Sequence, residues 1–168
     1  KIGDIFSVEI AKSKKRYFQY ISIDKLQLNS DVIRIFRGNF ESHESLDIDK
    51  LKDSGVESYI HCFVNQGIKM NIWKKEGYNS DLGLDLEIVF RSTDDYGGKV
   101  GSQPLLYTNN WHIWQLGKSE EKAKVVSSNL NKLKCSHIGI VINPLGILEI
   151  LKGNKYPPQY PEIGNILF

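Results

Sequence analysis

Ile2-Gly3-Asp4-Ile5-Phe6-Ser7-Val8-Glu9-Ile10, Arg16-Tyr17-Phe18-Gln19-Tyr20-Ile21 and Val32-Ile33-Arg34-Ile35-Phe36 are three short runs rich in β-branched and aromatic residues at the start of the chain. Such residues suit a pleated surface, and strands this close, joined by polar turns, specify a compact β-structure rather than a βαβ unit. Phe6, Val8 and Ile10 share one face of the first run while Ser7 and Glu9 share the other, which predicts a half-solvated strand. The basic connection Lys12-Ser13-Lys14-Lys15-Arg16 reads as a wet turn in preference to a phosphate or nucleic-acid contact. Asn29-Ser30-Asp31 supplies turn residues before the third run, and Gly38-Asn39 ends it.

With 168 residues, 40% of them hydrophobic and 25% charged, the chain has the length and composition of one globular domain spanning 1–168. Its 22 basic and 20 acidic residues leave a formal charge of +2, too small a field to argue for nucleic acid or an anionic membrane. No apolar run approaches the ~18 residues a membrane helix needs, and no signal-type apolar segment opens the chain. Cys62 and Cys135 are the sole cysteines, so reduced thiols in a cytoplasmic setting are expected, with a single bridge as the alternative.

Downstream, Glu41, Glu44, Asp47, Asp49, Asp53 and Glu57 make an acidic stretch whose middle predicts a short surface helix ending near Gly55. It reads either as a solvated connection or as a docking surface for a basic partner. Tyr59 to Val64, Asn65-Gln66-Gly67 and Ile68 to Lys74 predict a hairpin, because Ile60, Cys62, Val64 and Ile68, Met70, Ile72 alternate with polar residues. Residues 76–81 read as loop, and 84–90 as a strand with Leu84, Leu86, Ile88 and Phe90 inward.

Asp94-Asp95-Tyr96-Gly97-Gly98-Lys99 and Gly101-Ser102-Gln103-Pro104 predict an exposed loop. Trp111 to Leu116 is a strand with Trp111 and Trp114 on opposite faces, which places at least one indole in the core. A loop or weak helix at 118–134 precedes a strand at 136–142 and a helix capped by Asn143, started by Pro144 and closed by Gly153. The proline-containing tail at 154–168 is expected to be extended, either strapped onto its own domain or offering its proline-x-x-proline pattern to a groove.

Catalytic and metal signatures are sparse. His61 and Cys62 point to opposite strand faces, and Cys135 with His137 supplies only two ligands, so neither a metal nor a cofactor is expected. No glycine-x-serine-x-glycine elbow or phosphate-binding glycine loop occurs, and Asp94-Asp95 sits in a turn ill suited to desolvation.

Gly3-Asp4-Ile5-Phe6 followed by Tyr17-Phe18-Gln19-Tyr20 resembles the start of the bacterial immunity protein 26 family, and Trp111-His112-Ile113-Trp114 is compatible with that family's tryptophan-containing strand. The resemblance covers residues 2 to 36 most firmly and carries over no binding residue. It implies a β-rich cytoplasmic antidote that neutralises a cognate toxin protein of a polymorphic toxin system by contact alone.

The expected architecture is therefore mainly β, β-rich α+β, with a strongly bent antiparallel sheet or partly open barrel and one or two short helices. The expected partner surface is Glu41, Glu44, Asp47, Asp49 and Asp53, with Asp94, Asp95 and Tyr96 as a second choice. One alternative is a nucleic-acid or ligand-binding module using Lys12, Lys14, Lys15 and Arg16 beside Tyr17 or Tyr20. The other is a hydrolase assembled in space, with His61, His112 or His137 meeting a carboxylate in a pocket. The toxin's identity and the oligomeric state are not written in these residues.

Overall fold

The structure is a computed structural model that describes residues 1–81, 87–118, 122–125 and 127–164. The first half contains β1 (Asp4–Ala11), β2 (Lys14–Asp24), β3 (Ser30–Phe36), β4 (Phe40–Glu41), α1 (Ile48–Asp53), β5 (Val56–Cys62), α2 (Val64–Lys69) and β6 (Lys74–Tyr78). The second begins with β7 (Val89–Ser92), β8 (Lys99–Val100), β9 (Gln103–Pro104), β10 (Tyr107–Thr108) and β11 (His112–Gln115). It continues with β12 (Ala123–Lys124), α3 (Leu130–Lys134), β13 (His137–Ile138), α4 (Pro144–Leu151) and β14 (Glu162–Ile163).

The expected β-rich class holds, with four short helices and with no sheet closed into a barrel among the described residues. The large sheet runs β5-β3-β2-β1-β6, antiparallel throughout, with β4 added to β2. A smaller sheet runs β12-β11-β7-β13, and β10–β14 and β8–β9 form separate pairs. Register puts Phe6 opposite Phe18, whose rings stack at 5.1 Å. On that face Phe18, Ile33, Ile35 and Ile60 form the main core with Ile147 and Leu151 of α4. Fully burying one such side chain contributes about 1.5–3 kcal/mol.

The opposite face is wet only at the Glu9 end, so the half-solvated strand that alternation predicts holds there alone. Ile5 and Tyr17 pack there with Phe36, Phe40 and Leu51 because β4 and α1 fold back over the sheet, and Ser7 is buried as well. The basic connection is corrected for the same reason. Lys12 and Ser13 are exposed at the tip, but Arg16 is buried, donating to the Phe36 carbonyl at 2.8 Å and pairing with Glu57. Lys15 is buried too, and donates to the Glu44 carbonyl at 2.6 Å.

The predicted hairpin at 59–74 does not form. The strand stops at Cys62, and Val64 to Lys69 make a short helix that buries Val64 and Gly67 while Ile68 and Met70 stay exposed. β5 and β6 then pair with β3 and β1 instead of each other, and β6 occupies part of the expected 76–81 loop. Of the expected 84–90 strand, residues 84–86 lie outside the described residues, while Ile88 and Phe90 are buried.

Cap signals place both principal helices. Asp47 accepts from the Lys50 amide at 3.0 Å to start α1, and Gly55 at φ +76° ends it. Asn143 accepts from Gly146 at 2.8 Å to start α4 after Pro144 takes the first position. The expected 136–142 strand is reduced to β13 and a bridge between Val141 and His61. Both Trp111 and Trp114 are buried, with their N–H groups donating to the Thr108 carbonyl and the Asp24 carboxylate. Residues 165–168 of the tail lie outside the described residues; the part at 154–164 is not simply extended, since a turn at Pro157–Tyr160 folds Pro157, Tyr160 and Pro161 inward before β14.

Candidate partner-binding surface

The acidic stretch is positioned by β4 and α1, and its charges are largely matched from within the chain. Pairing of β4 with β2 sets Glu41 opposite Lys14, and their ion pair holds the Glu41 carboxyl below its usual range. Glu44 pairs with Lys50 at 3.0 Å, and Asp47 is occupied as the helix cap. Asp49 and Asp53 are exposed without an ion pair among the described residues, while the intervening Lys52 reaches Asp81 at 2.9 Å. The stretch is therefore a surface of mixed sign, with two outward carboxylates in place of the expected acidic patch.

The second expected segment is organised differently. The Asp95 carboxylate accepts from the Thr108 hydroxyl, and the Asp95 carbonyl accepts from the Gly98 amide at 2.9 Å. Leu105 donates to Gly98 at 2.9 Å, and Glu162 of β14 donates to the Leu106 carbonyl at 2.8 Å. The Tyr96 ring packs 5.0 Å from Tyr160. Asp95 thus braces the loop from inside, while Asp94 and Tyr96 face outward.

On this braced segment Val100 is 69%, Leu106 50% and Tyr107 62% exposed. Isolated apolar residues on a surface are ordinary, and three exposed on one hydrogen-bonded segment offer apolar area for a partner to cover. The sequence reading missed these three residues because glycines and Pro104 mark the region as a loop and no periodicity flags which apolar residues lack a core to enter.

The histidine clusters complete the inventory. Ser30 Oγ lies 3.1 Å from His61 Nδ1, and His61 Nε2 lies 3.7 Å from Asp24 Oδ2. His61 Nε2 is buried and makes no hydrogen bond among the described residues, so the contact with Ser30 is the hydrogen bond that orients the ring. His61 thus meets a carboxylate, as the hydrolase alternative required, but Ser30, His61 and Asp24 are 2%, 0% and 3% exposed. Phe90 and Trp114 cover them, so the cluster joins the large sheet to the small one and offers no substrate path. Burial drives the His61 pKa down to about 4, so the ring is neutral near neutrality and the contact with Asp24 is not an ion pair.

Tyr17 and Tyr20 are buried, which removes the aromatic platform from the nucleic-acid alternative. Cys62 is buried and Cys135 exposed, both as free thiols. No group of three or more histidine, cysteine, aspartate or glutamate residues is placed to hold a metal ion among the described residues, and no described helix is long and apolar enough to cross a membrane. Comparison with protein-family models, curated proteins and solved structures gives no match for this chain.

Proposed function

We propose that this protein is a non-catalytic antidote that binds and neutralises a cognate bacterial toxin in the cytoplasm through the outer face of a preformed β-scaffold. The observation that carries the reading is the set Val100, Leu106 and Tyr107, exposed on a segment tied down by Asp95, Thr108 and the β10–β14 pairing. A segment already held by hydrogen bonds loses little entropy on docking, and Tyr107 is the residue type that anchors interfaces, with Val100 and Leu106 adding apolar area. Asp49 and Asp53 are the remaining candidates for steering a basic toxin. The resemblance of residues 2 to 36 to immunity protein 26 supports the same reading from the sequence side.

The test is co-expression with the product of the adjacent reading frame in a growth assay, followed by size-exclusion chromatography. A stable complex and restored growth are expected from the wild-type chain. The double variant V100D/Y107D is expected to lose both at an unchanged melting temperature. Failure of the wild type to bind or protect overturns the reading, and undiminished binding by the folded double variant removes this segment from it. Charge reversal at Asp49 and Asp53 is expected to slow association; unaltered kinetics eliminate the acidic surface.

A further inference from the structure

β5 is the edge of the large sheet and β13 the edge of the small one, and where they meet an open cleft of about 310 Å³ lies beside α4 and residues 154–156. Its apolar surface is made by Ile60, Ile138, Ile142 and Ile150. Its polar surface carries Arg91, His137, Ser58, Ser136, Asn154 and Tyr156. A cleft of this size, mostly hydrocarbon with a few convergent polar groups, has the make-up of a small-ligand site.

The charges within it are unbalanced. Arg91 donates to the Ser136 carbonyl and, at 3.4 Å, to the Ser136 hydroxyl, while its buried Nε has no partner. No carboxylate pairs with Arg91 among the described residues, its guanidinium lying 5.7 Å from the Trp111 ring centroid, and Lys155 at the rim is matched by Glu162 at 2.6 Å. A partly buried guanidinium without a counter-anion is costly and attracts an oxyanion, and beside four isoleucines the anion that suits the cleft is a carboxylate carried on a hydrocarbon body. His137 adds a donor. Its Nδ1 accepts from the Tyr59 amide at 3.4 Å, which leaves the proton of the neutral ring on Nε2.

The larger hollow of about 560 Å³ at β1 and β6 lacks this imbalance. There Glu76 accepts from Ser7 and faces Lys74, Lys75 pairs with Asp4, and Lys15 is held by the Glu44 carbonyl. Cations in that hollow already have partners within the chain.

The geometry points to the β5–β13 cleft as a binding site for a small carboxylate with an apolar body, its anion held by Arg91 and its hydrocarbon resting on the isoleucines. This site is separate from the Val100–Tyr107 segment and stands whether or not the chain neutralises a toxin. The test is calorimetric titration of the full chain with isovalerate, isovaleramide and inorganic phosphate, with the His137 ring resonances followed by NMR.

Saturable isovalerate binding that moves the His137 resonances is expected, with the amide and phosphate each about tenfold weaker or worse. R91M is expected to reduce isovalerate to the level of the amide. I150E, which brings a carboxylate to the same cleft, is expected to abolish binding if R91M fails to fold. Absence of isovalerate binding, equal affinity for the amide or phosphate, or resonance changes confined to another surface each overturn the assignment.

Discussion

The Trp73 indole packs directly on Gly67: a methyl group at that position would overlap Cζ2, Cε2 and Cη2 of the ring. Trp73 also donates to the Val64 carbonyl at 3.0 Å and meets Phe18 edge-on at 5.2 Å, so α2 is wrapped around one indole. Gly67→Ala gains up to about 1 kcal/mol in helix propensity but forces the indole out of place, which costs about 1–3 kcal/mol in a packed core. We expect net destabilisation with altered tryptophan emission, measured by urea unfolding. A variant as stable as the wild type would show that the indole does not need this glycine.

A fully buried histidine, His61, and a half-buried one, His137, give the protein an acid-sensitive stability. Burial brings both His61 and His137 down to about 4 from an ordinary 6.5. The unfolded chain therefore takes up protons first as the pH falls, and stability declines from about pH 6.5 towards pH 4. For His61, which is fully buried, the loss between pH 7 and pH 5 is about 2 kcal/mol. Unfolding free energies of wild type and His61→Gln at both pH values check this, since the difference between pH values within each protein removes the fixed cost of the substitution. An equal pH dependence in the two proteins counts against the shift.

Local signals were legible where local energetics decide. The β-branched runs of β1 to β3 and the Asn143-Pro144 start of α4 appear at their expected places because strand propensity and capping act over a few residues. Segment 59–74 carries the alternation of a hairpin at Ile68 and Met70, although both are exposed on a helix and the turn that follows it. Tertiary contact decides there: Trp73 has a seat only if Gly67 lies on a helix. The internal matching of the acidic stretch is not legible for a related reason, since the β2–β4 register that brings Lys14 to Glu41 has no signature in either segment. Arg91 and His137 come from separate strands, and nothing in their neighbours announces a shared cleft.

Asp24 is the acceptor that holds the junction between the sheets. Its Oδ1 accepts from the Leu26 and Gln27 amides at 3.1 and 3.0 Å, and its Oδ2 accepts from Trp114 Nε1 at 3.2 Å. Asparagine keeps the shape but supplies only one acceptor oxygen, so its amide N–H₂ must face other donors. Asp24→Asn is expected to cost about 2–4 kcal/mol by chemical denaturation, with a change in Trp114 emission. A loss well under 1 kcal/mol would remove Asp24 from this role.

Arg16 separates a wet basic turn from the buried cation found here. Its guanidinium reaches the Phe36 carbonyl at 2.8 Å, the Leu151 carbonyl at 3.4 Å and the Glu57 carboxylate, so it joins β2 to β3, β5 and the end of α4. Lysine keeps the charge but lacks the planar fork that spans these acceptors. Arg16→Lys is therefore expected to destabilise by about 1–3 kcal/mol, while Lys12→Gln at the exposed tip stays within about 0.5 kcal/mol. Most of the Arg16 effect should persist in high salt, because its carbonyl contacts are buried and poorly screened. Equal effects at the two positions, or an Arg16 effect that vanishes with salt, would return this segment to the solvated turn its composition suggests.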